Sequence, residues 1–218
     1  MPLLDVRVID NPVAQDRLRV LRSRGTPRWV FREVMEECGC ILAYEASRQL
    51  PSRPVTVETP LAEAQALELL DERVVVVAVL RAGLPLAHGM LRVWRRARMG
   101  FVAAKRIEEW GGDVFPVDTP YINIPSLSAS DMVVVADPML ATASTMLKVI
   151  GILEEKGARN IIIGSVISSK KGVERLRMRL RSSPARVMLY TFSVDPLLDS
   201  RGFIIPGLGD AGDRSFTL

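Results

Sequence analysis

The sequence predicts an α/β fold, a mostly parallel twisted sheet with helices on both faces. Two observations carry that expectation. Continuous apolar, β-branched runs recur at "RVVVVAVL" (73–80), "DMVVVADP" (131–138), "NIIIGSVIS" (160–168) and "RVMLYTFSVD" (186–195). Such runs mark strands buried on both faces. Helical patterns stand between them, and strands alternating with helices imply right-handed crossovers in a parallel sheet. The size agrees: 218 residues, 48% hydrophobic and 25% charged, suit one globular domain over 1–218.

Taken in order, "DRLRVLRSRG" (16–25) and "WVFREVMEECGCILAYEASRQL" (29–50) carry apolar residues at helical spacing, with Gly25 and Pro51 at plausible ends. "PVTVETP" (54–60) alternates like a strand and stops at Pro60. After the first buried run comes a helix at 84–97, then a short apolar run "GFVAA" (100–104). Residues 105–130 are rich in Gly, Pro and Ser, and so long a connection in a compact domain reads as a flexible hood or lid hairpin. Helices at 144–157 and 170–182 follow their strands. The tail, 202–218, has too many glycines for a helix.

Composition excludes several classes of function. No apolar run reaches the ~20 residues of a membrane span, and "MPLLDVRVIDNP" lacks the order of a signal peptide, so a cytoplasmic protein is expected. The net charge of +4 and pI of about 9.4 raise nucleic acid as a partner. The basic residues are scattered among acids, however, and the densest cluster, "RVWRRAR" (92–98), reads as a helix end whose cations offset the dipole. No nucleic-acid partner is expected. Cys38 and Cys40 point two ways from a helix, which fits neither a disulfide nor a zinc knuckle, and both read as buried thiols. His88 is the sole histidine, in an apolar stretch, so it is more naturally a packed or surface residue than a catalyst.

In an open parallel sheet, ligands bind beyond the carboxyl ends of the strands. Three strands here run into unusual loops: "LRAGLP" (80–85), "DPMLATAST" (137–145) and "SSKKG" (168–172). The small and hydroxyl residues Ala141, Thr142, Ala143, Ser144 and Thr145 let main-chain N–H groups turn inward, and the following helix adds its N-terminal dipole. Together they form an anion cradle suited to a phosphate. The loop has no G-x-x-x-x-G-K-[ST], which disfavours nucleoside triphosphate hydrolysis. Asp137, one step before the cradle, suits sugar hydroxyls or a metal beside one. Phosphate, diol and metal together describe a ribose 5-phosphate. Arg81 and Arg106 are candidate clamps for a pyrophosphate.

"LRAGLP", "VADPMLATAST" and "IPGLGDAGDR" occur in the order and approximate spacing of the uracil phosphoribosyltransferases, and "FREVMEECGCILAYEAS" and "VETPL" resemble that family's N-terminal helix and strand. The resemblance covers essentially the whole chain and implies the type I phosphoribosyltransferase fold. Ala143-Ser144 looks like the archaeal form of a motif that often reads Gly-Gly. The reaction implied is uracil plus 5-phosphoribosyl 1-diphosphate (PRPP) giving UMP and diphosphate, with Mg²⁺ bound mainly through the diphosphate and no direct protein ligand.

By motif position, Arg81 and Arg106 contact the diphosphate, and Asp137, Pro138, Met139, Leu140, Ala141, Thr142, Ala143, Ser144 and Thr145 hold the ribose 5-phosphate. A C-terminal segment, about 202–214, supplies the uracil pocket through Ile204, Gly209, Asp210 and Ala211, with Asp210 also facing PRPP. Arg81, Asp137 and Asp210 are the catalytic candidates. The resemblance implies a homo-oligomer, dimer or tetramer. GTP and CTP as effectors stay open, because Glu33, Glu36 and Glu37 stand where some archaeal members have basic residues. Rival readings are a phosphoribosyltransferase for another base, a PRPP-sensing RNA-binding regulator, and a silent structural subunit.

Overall fold

A computed structural model describes residues 4–106 and 116–217. The chain runs β1 (Asp5–Val8), α1 (Pro12–Arg22), α2 (Arg28–Ala46), β2 (Ser52–Glu58), β3 (Glu63–Leu69), β4 (Val74–Leu80), α3 (Gly83–Val93), β5 (Arg98–Arg106) and β6 (Val117–Asn123). It continues through β7 (Met132–Ala136), β8 (Met139–Leu140), α4 (Ser144–Glu155), β9 (Asn160–Ser169), α5 (Lys170–Arg179), β10 (Arg186–Asp195), β11 (Leu197–Leu198), β12 (Ile204–Ile205) and α6 (Ala211–Phe216).

The main sheet has the order β1-β10-β9-β7-β4-β5-β6, with β8 added beside β9. Every neighbouring pair is parallel except β5 with β6, which are antiparallel at the edge. The β-branched runs occupy its centre, and their side chains divide between the faces with period two. Val74, Val76 and Ala78 pack into a core with α1, α2 and α3. Val75, Val77 and Val79 pack into a second core with α4 and α5. Each fully buried Val or Leu contributes about 1.5–3 kcal/mol, so both faces of the expected sheet are covered at a profit in stability.

Several elements differ from the sequence-based expectations. The helix expected at 84–97 ends at Val93, where Trp94, fully buried, turns inward and donates from Nε1 to Ser47 Oγ at 2.9 Å. The Arg cluster is therefore not a free helix end. Arg96 pairs with Glu68, Asp71 and Glu72, Arg98 with Asp131, and Arg92 with Glu36. The tail does form a helix, α6, because Asp210 caps it by accepting from the Asp213 N–H at 2.9 Å. Cys38 is buried as expected, but Cys40 is only half-buried, with its thiol on the Gly89 carbonyl. Burial raises both thiol pKa values. His88 is exposed. Of the connection at 105–130, residues 117–123 form strand β6, and residues 107–115 lie outside the described residues. Among the described residues, no helix is long and apolar enough to cross a membrane.

Candidate active site

Parallel strands deliver their carboxyl ends to one edge, and there β4, β5 and β7 meet the tail around a cavity of about 600 Å³. Arg81 follows β4 directly, across a cis Leu80–Arg81 peptide bond. Its exposed guanidinium donates from Nη2 to Asp213 Oδ1 at 3.1 Å, which ties the β4 loop to the first turn of α6. Exposed at this level, the pair contributes at most ~1 kcal/mol, so another anion can take its place.

Asp137 follows β7 and is half-buried, with Oδ1 accepting from the Met139 N–H at 3.4 Å. The next residues wrap the cavity floor and end in α4. Ala143 stands at the helix start with φ 64° and ψ 2°, a left-handed turn that sends the chain from loop to helix. The first amides of α4 have no intrahelical acceptor, so they are available to a bound anion. Thr142 and Ser144, both 7% exposed, bring hydroxyls to the same place.

Of the sequence-derived site residues, Arg81, Asp137, Met139, Leu140, Ala141, Thr142, Ala143, Ser144, Thr145, Ile204 and Asp210 line this cavity together. Three do not line it. Pro138 is buried, and its carbonyl accepts from the Val166 and Ile167 N–H groups. Gly209 is exposed and Ala211, the first residue of α6, is buried in the core, and neither is among the residues that line the cavity. Arg106 closes β5, but its side chain lies outside the described residues. Among the described residues, no group of three His, Cys, Asp or Glu side chains is placed to hold a metal ion. The cavity does carry two carboxylates, Asp137 and Asp210.

Residues that sequence reasoning did not single out also matter. Lys105, at the end of β5, and Phe203, before β12, line the cavity. Below it, Asp195 at the end of β10 is 2% exposed and holds the tail. It accepts from Arg22 at 2.6 and 2.7 Å, from Ser193 Oγ at 2.7 Å and from the Gly207 N–H at 2.9 Å. Burial alone would raise this carboxyl, but the bonds from Arg22, Ser193 and Gly207 outweigh it and hold the pKa below its ordinary value. Arg22 also donates to the Gly207 carbonyl at 2.8 Å. Arg214 donates to the Leu21, Leu208 and Ser23 carbonyls and lies 4.3 Å from the Phe31 ring centroid. The end of α1 thus grips the tail on two sides. Of these, Gly207, Leu208 and Arg214 carry a local signal, since they stand inside "IPGLGDAGDR".

Comparison with known proteins gives one consistent result. The family described as uracil phosphoribosyltransferase matches residues 8–217. A uracil phosphoribosyltransferase of Pyrobaculum islandicum is 40% identical over 216 residues, covering 98% of this chain and 100% of that protein. One from Sulfurisphaera tokodaii is 41% identical over 222 residues, covering 99% of this chain and 100% of its own length. Among solved structures, the AQ2163 protein from Aquifex aeolicus superposes with a TM-score of 0.89 at 29% identity, covering 98% of each chain.

Proposed function

The chain belongs to the uracil phosphoribosyltransferase family, and we propose on that premise how its cavity carries out the reaction. It is a pentosyltransferase of the type I fold that converts uracil and PRPP to UMP and diphosphate, in pyrimidine salvage. The observation that supports the site assignment is the convergence of Arg81, the 137–145 cradle and Asp210 on one cavity at the sheet edge.

The roles follow from charge. Breaking the bond between C1 of the ribose and the diphosphate oxygen leaves an oxocarbenium-like sugar and a highly charged leaving group. Arg81 exchanges Asp213 for the diphosphate and stabilises the charge that develops there, electrostatic catalysis rather than nucleophilic attack. Arg106 would add a second cation by motif position, and Lys105 faces the same cavity. Asp137 takes the ribose hydroxyls, and the start of α4 with the Ser144 and Thr145 hydroxyls takes the 5-phosphate, while Thr142 Oγ1 donates to Ser144 Oγ at 3.1 Å. The tail, fixed through Gly207 and Leu208, presents uracil, with Asp210 between base and PRPP.

Two carboxylates facing the cavity fit a divalent ion that is held chiefly by substrate oxygens. Asp137 and Asp210 are the groups that would steady Mg²⁺, which when bound neutralises diphosphate charge. We extend the proposal to the connection 105–130 as a cover that excludes water, to a cytoplasmic location consistent with two free thiols, and to a homo-oligomer. Diphosphate release assayed with and without uracil tests the reading. Release must depend on uracil and fall by ~10²-fold or more in Arg81→Ala and Asp137→Asn, with the fold retained. Wild-type turnover in both variants would remove those residues from the mechanism.

A further inference from the structure

The loop that we read as the 5-phosphate cradle is held from behind by α5, and one side chain does most of that holding. Arg175, half-buried in the second turn of α5, donates from Nη1 to the Thr142 carbonyl at 3.0 Å and to Ser144 Oγ at 3.1 Å. One residue earlier in the loop, the Ala141 carbonyl accepts from Ser169 Oγ at 2.6 Å, while Ser169 caps α5 by accepting from the Gly172 N–H at 2.8 Å. α5 approaches so closely that a Cβ on Gly172 would lie 2.3 Å from the Ala141 carbonyl oxygen. Two consecutive cradle carbonyls are thereby committed to α5 rather than to the cavity. A carbonyl facing the cavity would repel a phosphate.

The second consequence concerns the Ser144 hydroxyl. A serine hydroxyl has one proton to donate and two lone pairs to accept with. Here Ser144 Oγ accepts from Arg175 Nη1 and from Thr142 Oγ1, the latter at 3.1 Å. With both lone pairs occupied, its proton is left to donate, which is the polarity an anion in the cavity requires. Arg175 also adds a positive charge behind the loop without lining the cavity.

We propose that Arg175 is a positioning residue for the 5-phosphate of PRPP and of UMP: it turns the Thr142 carbonyl away and sets Ser144 as a donor. The inference rests on the reading of 137–145 as the phosphate cradle. The test separates the two. Titration calorimetry of the full-length protein would measure ribose 5-phosphate and inorganic pyrophosphate separately, against wild type, Arg175→Met, Arg175→Lys, Ser144→Ala and the Arg175→Met/Ser144→Ala double variant.

The expected result is ~10-fold weaker ribose 5-phosphate binding in Arg175→Met, about one charged hydrogen bond, with pyrophosphate binding unchanged. Turnover at saturation should stay within ~3-fold while KM for PRPP rises, the pattern of lost uniform binding. Arg175→Lys keeps a donor and the charge, so it should recover most of the affinity. The double variant should lose less than the product of the single losses, because Arg175 acts partly through Ser144. Should Arg175→Met fail to fold, Arg175→Gln, which loses the charge and shortens the reach to Thr142 and Ser144, takes its place in the same comparison. Unchanged ribose 5-phosphate affinity in folded Arg175→Met, or equal losses for both ligands, overturns the proposal and leaves the cradle standing. Wild-type protein on which ribose 5-phosphate does not compete with PRPP overturns the cradle reading and the proposal together.

Discussion

Ala143 occupies a backbone region that L-residues enter at a cost of roughly 1–2 kcal/mol, with φ 64° at the head of α4. Glycine would relieve that cost but would add about 0.4–1 kcal/mol of freedom to the unfolded chain. Ala143→Gly should therefore leave stability unchanged or raise it by up to ~1.6 kcal/mol, and keep activity. Ala143→Val, β-branched in the same conformation, should lower the unfolding temperature and raise KM for PRPP. Thermal unfolding and steady-state kinetics check both. At Asp195 the sign runs with pH. Its folded pKa lies below the ordinary 3.8, so the unfolded state binds the extra proton first. The stability it contributes is present above that value and is lost as pH falls through the folded pKa. Asp195→Asn should unfold more easily at neutral pH, by up to ~3 kcal/mol given a partly open Arg22. It should also flatten acid sensitivity below pH ~4 and weaken uracil before PRPP. Acid titration of folding in both proteins decides this, and parallel curves would free Asp195 of the role. The 137–145 loop was legible in sequence as one stretch because its residues are consecutive, and most of them line the cavity. The Arg22–Asp195 clasp was not, since its partners stand 173 positions apart.

Among elements, the central strands were readable because burial on both faces demands unbroken apolar runs, whereas β1, β3 and β8 were not. β3, "EAQALEL", is built of good helix formers and lies off the main sheet, paired only with β2. Its strand character comes from tertiary context, which propensity does not see. α6 hid among glycines, its signal reduced to the Asp210 cap. The packing of α2 on α3 also depends on glycine, for a Cβ on Gly89 would stand 1.8 Å from the Glu36 carbonyl oxygen. Gly89→Ala must push the two backbones apart, and destabilisation of at least ~1–3 kcal/mol is expected. Chemical denaturation measures it. The tail makes a further prediction. On the proposed placement of uracil against the tail, few side chains in "IPGLGDAGD" can reach a base, and main-chain groups would read it. Uracil presents acceptor, donor and acceptor at O2, N3–H and O4, whereas cytosine inverts the last two. A backbone clamped by Arg22, Asp195 and Arg214 does not turn over to suit it, and each unpaired group costs roughly 1–3 kcal/mol. Competitive turnover should show negligible use of cytosine, and comparable rates for the two bases would refute backbone reading.

At the scale of the molecule, part of the basic surface is answered from within. In the densest arginine run, Arg92, Arg96 and Arg98 pair with Glu36, Glu68, Asp71, Glu72 and Asp131. The apolar surface has a different distribution. The β2–β3 ribbon stands apart from the sheet, joined near its base where Arg96 Nη2 donates to the Leu69 carbonyl at 2.6 Å. Its turn exposes Leu61 at 97%, one of its faces Leu67 at 75% and the opposite face Val57 at 41%. A two-stranded ribbon is marginal in water unless a third surface covers it, and exposed apolar side chains grouped on one projection mark an interface. A second copy of the chain is the cover that we propose, because the ribbon exposes Leu61 and Leu67 beside charged groups that can form a rim. Sedimentation should then give a dimer or larger species, with an unfolding temperature that rises with protein concentration. The double variant Leu61→Asp/Leu67→Asp should be monomeric, and its unfolding temperature should lose that concentration dependence. Both positions are exposed and neither lines the cavity, so the variant's chain should still fold and its cavity remain intact. A wild-type protein that sediments as a monomer at every concentration would leave the ribbon without a partner of its own kind.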